Sequence, residues 1–410
     1  MKQTKNNLLS LLGIIAGIFA MAFVTVSCTP EVKAQEPDPV PTTYTVTYVT
    51  EHDSAPTTIE VEENTILSAE QLPELSEKDF VFKGWYDGEV KAVPGEYEVK
   101  GNVKLTARWT MIKHALKKAS TTQTTNGNST VIIQEYENNS KGQIAKITTT
   151  TTSNGTESVS ESTYEYEYND NGGLVKTTTS SDSGVVLETE YNEHGDIVKT
   201  TTINNGEISS IQNTEYDSNY YLIKSTTTYT GMDYSFVTEY ENNSKGQPVK
   251  TTQTITLNGK ETVTVTVNEY NAHGDVVKKT SFSNDKIIST YIYEYDSNYY
   301  LTKETTYSGE EFSDMNNVVT EYENNSNGQP LTVTKTTTSN GTKSVSVTAY
   351  VYDADGKTTK CTQTNPISGT DYIIVTDYEY NEHGDRTKIT NYMNGEIISM
   401  YTYEYEDIEI

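Results

Sequence analysis

Two cysteines among 410 residues leave no disulfide framework and no paired-cysteine metal site. Tryptophan occurs twice, phenylalanine seven times and proline ten times. Apart from Leu8–Val26 there is no long apolar run. The hydrophobic fraction is 34%, and that figure already includes 32 tyrosines, so one thick aliphatic core is out of reach. Basic residues are also short: 30 Lys and Arg stand against 58 Asp and Glu, a formal charge of −28. Such a surface repels phosphates, which argues against nucleic acid as a partner. It also keeps a β-rich chain soluble. Histidine occurs five times, and no nucleophile elbow, HExxH or phosphate loop is present. Paired carboxylates are too common for any one pair to point to glycoside hydrolysis.

What the chain has is threonine, tyrosine, asparagine, serine and glutamate. Thr and Tyr suit a pleated, half-buried surface, so the expectation is strand rather than disorder. Lys2 and Lys5 precede the apolar run, which reaches Thr25-Val26-Ser27-Cys28. This resembles a bacterial lipoprotein signal: 1–27 a signal peptide, Cys28 the lipidated residue, the membrane a partner through that anchor. An uncleaved anchor of about 19 apolar residues and a simple secretory signal are the alternatives. All three place the remainder outside the cytoplasm. Pro30, Pro37, Pro39 and Pro41 make 28–42 an extended spacer.

Residues 43–110 read as a small domain. Thr43–Val49 alternates as a strand, Ser68–Leu72 suits one helical turn, and Trp85 and Trp109 supply area a small core needs. The element Phe80-Val81-Phe82-Lys83-Gly84-Trp85-Tyr86, followed by Val103–Trp109, resembles the Listeria–Bacteroides repeat. That resemblance implies a β-grasp-like interaction module at a bacterial surface. Residues 111–119 are read as a linker.

From 120 to 410 the chain repeats. A tyrosine followed by an Asn/Asp/Gly turn recurs at Tyr136, Tyr168, Tyr191, Tyr216, Tyr240, Tyr270, Tyr295, Tyr322, Tyr352, Tyr380 and Tyr405. A second turn, often Asn-Gly as at Asn205-Gly206 and Asn394-Gly395, reverses the chain with the positive φ angles that two-residue hairpins demand. In Tyr164-Glu165-Tyr166-Glu167-Tyr168 tyrosines share one face and glutamates the other. Tyrosine rows would then form a thin core between sheets, stabilised only by neighbouring copies. The unit Tyr191-Asn192-Glu193-His194-Gly195-Asp196-Ile197-Val198-Lys199 is similar to the YD repeats of Rhs-type proteins. These form spiralling sheets, and in large members a hollow shell. With too few units for a shell, the expected fold is mainly all-β: the N-terminal module plus an open antiparallel hairpin array, an elongated ribbon or spiral sheet.

His194, His273 and His383 occupy one position in three related turns, which repetition should space apart. They are read as turn residues, with no metal ligand and no cofactor assigned. Asn169–Gly172 and Asp353–Gly356 echo calcium loops but are ordinary turn chemistry. Cys361 is a small strand residue. The functional expectation is a non-enzymatic, membrane-anchored surface protein binding an unknown protein or glycan ligand, with no catalytic residue assigned. A carbohydrate-active enzyme and a plain structural spacer are the rivals.

Overall fold

The computed structural model describes residues 42–51, 58–125, 128–309, 316–367 and 370–410. Residues 1–41, with the leader, Cys28 and nearly all of the spacer, lie outside the described residues. The chain divides into two units: 1–73 with 85–106, and 74–84 with 107–410.

In the first unit, the strand Thr43–Val49 pairs antiparallel with Thr58–Glu62 and parallel with the stretch from Val103 to Thr106. Alternation turns Val46 and Tyr48 inward, where they join Val61, Leu67, Leu72, Val99, Leu105 and Trp85. Trp85 is 1% exposed; its ring meets Tyr48 edge-on at 5.0 Å and its Nε1–H donates to the Pro73 carbonyl at 2.9 Å. The large ring is thus buried with its one polar atom satisfied. Ser68–Leu72 forms a hydrogen-bonded turn, and no helix occurs among the described residues.

The second unit overturns the expected open array. Twenty-two strands, from Val103–Thr125 to Glu396–Glu409, follow one another antiparallel, and the last pairs with the first to close the ring. The closing register runs from Ser399 opposite Gln123 to Glu409 opposite Ile112. Residues 111–119, read as a linker, belong to that closing strand. Closure removes the two unpaired edges that an open ribbon would leave. The repeating hairpin is common to both forms; the closing strand comes from outside the repeats, so repetition could not announce it. Trp109 belongs to this unit, packed on Phe82 with ring centroids 5.1 Å apart.

No second sheet covers the tyrosines. Among the described residues of this unit, the buried hydrophobic side chains are only Ala107, Ala115 and Ala119. The wall is one sheet thick, and its tyrosines are half-buried on one face instead of forming a core between sheets. Direct cross-strand neighbours separate the faces. Tyr166 stands opposite Thr177 and Tyr164 opposite Thr179, while Glu167 stands opposite Lys176. Lysine and glutamate alternate around the charged face: Lys199–Glu190 at 2.9 Å, Lys250–Glu241 at 2.6 Å, Lys278–Glu269 at 2.9 Å and Lys388–Glu379 at 3.0 Å. Each exposed pair contributes little, but the alternation keeps like charges from facing each other across neighbouring strands.

One rim of the barrel carries two-residue turns with both φ values positive: Asn154-Gly155, Asn205-Gly206, Asn258-Gly259, Asn340-Gly341 and Asn394-Gly395. Asn284-Asp285 takes the same form without glycine, a turn that a search for Asn-Gly passes over.

Candidate functional site on the rim of asparagine and aspartate turns

The opposite rim is built from five-residue turns that open on Asn or Asp. At Asn192 the side-chain oxygen accepts from the His194 and Asp196 amides at 2.9 Å each, and the backbone amide donates to the Asp196 carbonyl at 2.9 Å. Asn169 and Asp353 use their oxygens in the same way, which accounts for the calcium-like spacing at both places. The strand register shifts as it enters these turns, as between Glu190 and Tyr191, and such a bulge leaves a carbonyl in need of a donor. The next strand supplies it. Tyr216 donates to the Ile197 carbonyl at 2.9 Å, Tyr270 to Pro248 at 2.9 Å, Tyr295 to Val276 at 2.9 Å, Tyr352 to Pro330 at 2.7 Å and Tyr380 to Thr358 at 2.8 Å.

In three turns the donor is asparagine: Asn138 to Leu116, Asn242 to Leu222 and Asn324 to Leu301, at 3.0, 2.8 and 2.8 Å. The anchors read at Tyr136, Tyr240 and Tyr322 are therefore two residues early. The signal that could have found the true ones is the fixed offset from the turn-opening Asn.

The fourth residue of these turns has positive φ and is usually glycine, but Tyr220 and Tyr299 stand there with φ of 61° and 64°. Left-handed backbone costs a bulky residue about 1 kcal/mol or more. Both tyrosines are exposed at the turn tips, 46% and 47%. Each is faced by a histidine from the preceding five-residue turn: His194 lies 3.6 Å from Tyr220 and His273 3.4 Å from Tyr299, centroid to centroid. The tyrosine that follows covers the next turn, so that a Cβ added to Gly246 would lie 2.5 Å from the Tyr221 ring.

His383, third in that series, meets another histidine. Its ring lies 3.9 Å from that of His114 on the closing strand. His114 Nε2 is 3.2 Å from Asp79 Oδ1, His383 Nδ1 is 3.4 Å from the same oxygen, and His114 Nδ1 is 2.6 Å from Asp407 Oδ1. Repetition was expected to keep the histidines apart; His383 escapes it because its neighbour is a non-repeat strand. Bonding to His114 holds the Asp79 carboxyl below its ordinary pKa. Burial opposes charging of His114, but its bonds to Asp79 and Asp407 outweigh this and raise its pKa.

On the tyrosine face, desolvation holds the phenols of Tyr166, Tyr293, Tyr322 and Tyr378 above their ordinary pKa. They are neutral donors at physiological pH. Cys361 lies among them, and burial raises its pKa too, so it is a protonated thiol and not a nucleophile.

Fold and rim together define a closed antiparallel barrel of repeated hairpins. No protein-family model matches the sequence, and no curated protein matches it. Among solved structures the chain is similar to a porin-like protein from Bacteroides uniformis, at 10% identity and a TM-score of 0.27, covering 71% of this chain and 96% of that one. A porin-like protein from Bacteroides vulgatus gives 11% identity and 0.23, over 72% and 99%. The TcdB2–TccC3 complex without its hypervariable C-terminal region gives 13% and 0.27, over 77% of this chain but 19% of that chain. Likeness at these scores carries no argument about what the chain does.

Proposed function

We propose that this chain is an extracytoplasmic, membrane-anchored binding protein without catalytic activity, and that the aromatic turn tips of its barrel stack against protein or glycan ligands. The observation that carries this reading is the pair of left-handed tyrosines, Tyr220 and Tyr299. Each keeps a backbone conformation that glycine would adopt without cost, each is exposed, and each is held against a histidine. Turn strain of this kind is retained where a side chain is wanted at that spot. Flat, partly apolar rings with a polar edge suit the faces of sugars and the aromatic or aliphatic side chains of proteins.

The anchor belongs to Cys28, and the barrel itself stands in water. A lipid-facing barrel wall needs an apolar band about 25 Å tall. Neither face of this wall offers one. Lysine and glutamate ring one face. The other carries the tyrosines among threonines and serines, such as Thr149, Thr151 and Ser153, or Thr177 and Thr179. A wall so rich in hydroxyls suits water on both sides.

The test is a glycan and host-protein binding array probed with residues 40–410, beside the Tyr220→Gly/Tyr299→Gly double variant. Binding that the variant loses while staying folded supports the reading. Silence of the array, together with hydrolysis of any polymer, reverses it in favour of a carbohydrate-active enzyme.

A further inference from the structure

We propose that Asp79, His114 and His383 bind one divalent transition-metal ion of zinc type, with Asp407 orienting His114, and that this ion staples the closed seam of the barrel. The distances are those of a coordination shell. A tetrahedral zinc ion with nitrogen and oxygen ligands at about 2.0–2.1 Å has donor atoms about 3.3 Å apart. Two of the three edges here are 3.2 and 3.4 Å, from Asp79 Oδ1 to His114 Nε2 and to His383 Nδ1. All three donor atoms lie within 4.8 Å of one another.

The outer contacts fit as well. His114 Nδ1, 2.6 Å from Asp407 Oδ1, donates to that carboxylate, which orients the ring with Nε2 at the site. With no metal bound, a proton on Nε2 donates to Asp79 Oδ1 at 3.2 Å; a metal ion would replace that proton between the ring and the carboxylate. Asp79 has φ 63°, and its carbonyl accepts from the Ile112 amide at 2.8 Å, which fixes the carboxylate two residues from His114 on the neighbouring strand. Two imidazoles and one carboxylate favour zinc and its transition-metal neighbours over calcium or magnesium, which prefer all-oxygen shells.

The location gives the ion its role. His114 is on the first barrel strand, Asp407 on the last and His383 in the last turn of the rim, so the site spans the one pairing that the repeats do not template. His194 and His273 occupy the same turn position with a tyrosine, not a second histidine, against the ring, and serve as internal controls.

The experiment takes the full chain stripped with a chelator and titrates it with zinc by calorimetry, following the melting temperature in parallel. One ion per chain and a higher melting temperature are expected. The His114→Gln/His383→Gln variant should lose at least 100-fold in affinity, Asp407→Asn 10- to 100-fold, and His194→Gln/His273→Gln nothing. No saturable binding, or equal loss in the control variant, overturns the proposal. Should the ligand variants fail to fold, cobalt titration of the unaltered chain decides: intense tetrahedral d–d bands support the site and their absence overturns it.

Discussion

Replacing Ser120 and Thr402 by cysteine, in a Cys361→Ser background, tests the closure of the barrel directly. These residues are register partners across the seam, as are Ala119 and Tyr403. Opposed residues in antiparallel strands have Cα atoms about 4.5 or 5.5 Å apart in alternation, within the span a disulfide bridges. One of the two adjacent pairs therefore has the closer geometry, and making both variants removes the need to know which. The bond would tie off a loop of about 280 residues, for which chain entropy alone gives about 5.6 kcal/mol of stabilisation, less any strain. The assay is mass spectrometry of the oxidised, unreduced monomer, with denaturant melts before and after reduction. A monomer that has lost two hydrogens and melts later when oxidised is the expected result. In an open ribbon the two cysteines sit at opposite ends, so free thiols or disulfide-linked dimers alone would refute closure.

Tyr295→Phe removes the phenol donor to the Val276 carbonyl and should cost about 1 kcal/mol, more if the carbonyl stays dry; denaturant melts will show it, and no change would mean the contact is idle. Gly155→Ala and Gly246→Ala place a Cβ at similar positive φ, but only the second meets a ring; about 1 kcal/mol is expected for the first and clearly more for the second, with Tyr221→Ala recovering the difference in a double-mutant cycle. Tyr220→Gly should leave stability unchanged or improved, since relief of the left-handed backbone offsets the lost contact with His194; a large loss in thermal melts would show the tyrosine to be structural. The raised phenol pKa values set a pH limit. In the unfolded chain phenols ionise near 10.0 and in the barrel later, so stability should hold below that pH and fall above it as pH rises through the folded values; tyrosinate absorbance followed with melting temperature checks this.

The hairpin itself was legible in the residues. Alternating Tyr and Glu defined the two faces, Asn-Gly marked one rim, and the Asn/Asp turns marked the other. Closure was not legible, because the pattern within a hairpin is the same in a ribbon and a ring, and the deciding strand lies in 111–119, which has no tyrosine anchor and reads as a linker. The histidines divide along the same line. Repetition correctly gives His194 and His273 the same surroundings, but His383 is the last of its series, and its neighbour belongs to no repeat. The anchors at Asn138, Asn242 and Asn324 were missed for a simpler reason: tyrosine draws the eye, whereas the geometry asks only for a donor of the right reach.

A wall one sheet thick, with no buried side chain larger than alanine among its described hydrophobic residues, cannot owe its stability to a core. Its free energy must come from terms that each strand shares with its two neighbours: the ladder itself, the Lys–Glu alternation, and the phenol or amide that caps a carbonyl at many of the Asn/Asp turns. Such a system gains about one interface per hairpin added. An open array of the same hairpins would lack one interface and expose two edges, each a template for pairing with another chain. Closure supplies that last interface, but only if a strand outside the repeats matches the register of the final one. The seam is therefore the interface least secured by repetition and the first expected to open. The cluster of Asp79, His114, His383 and Asp407, gathered at that one pairing and not repeated around the ring, is what such a weak point calls for.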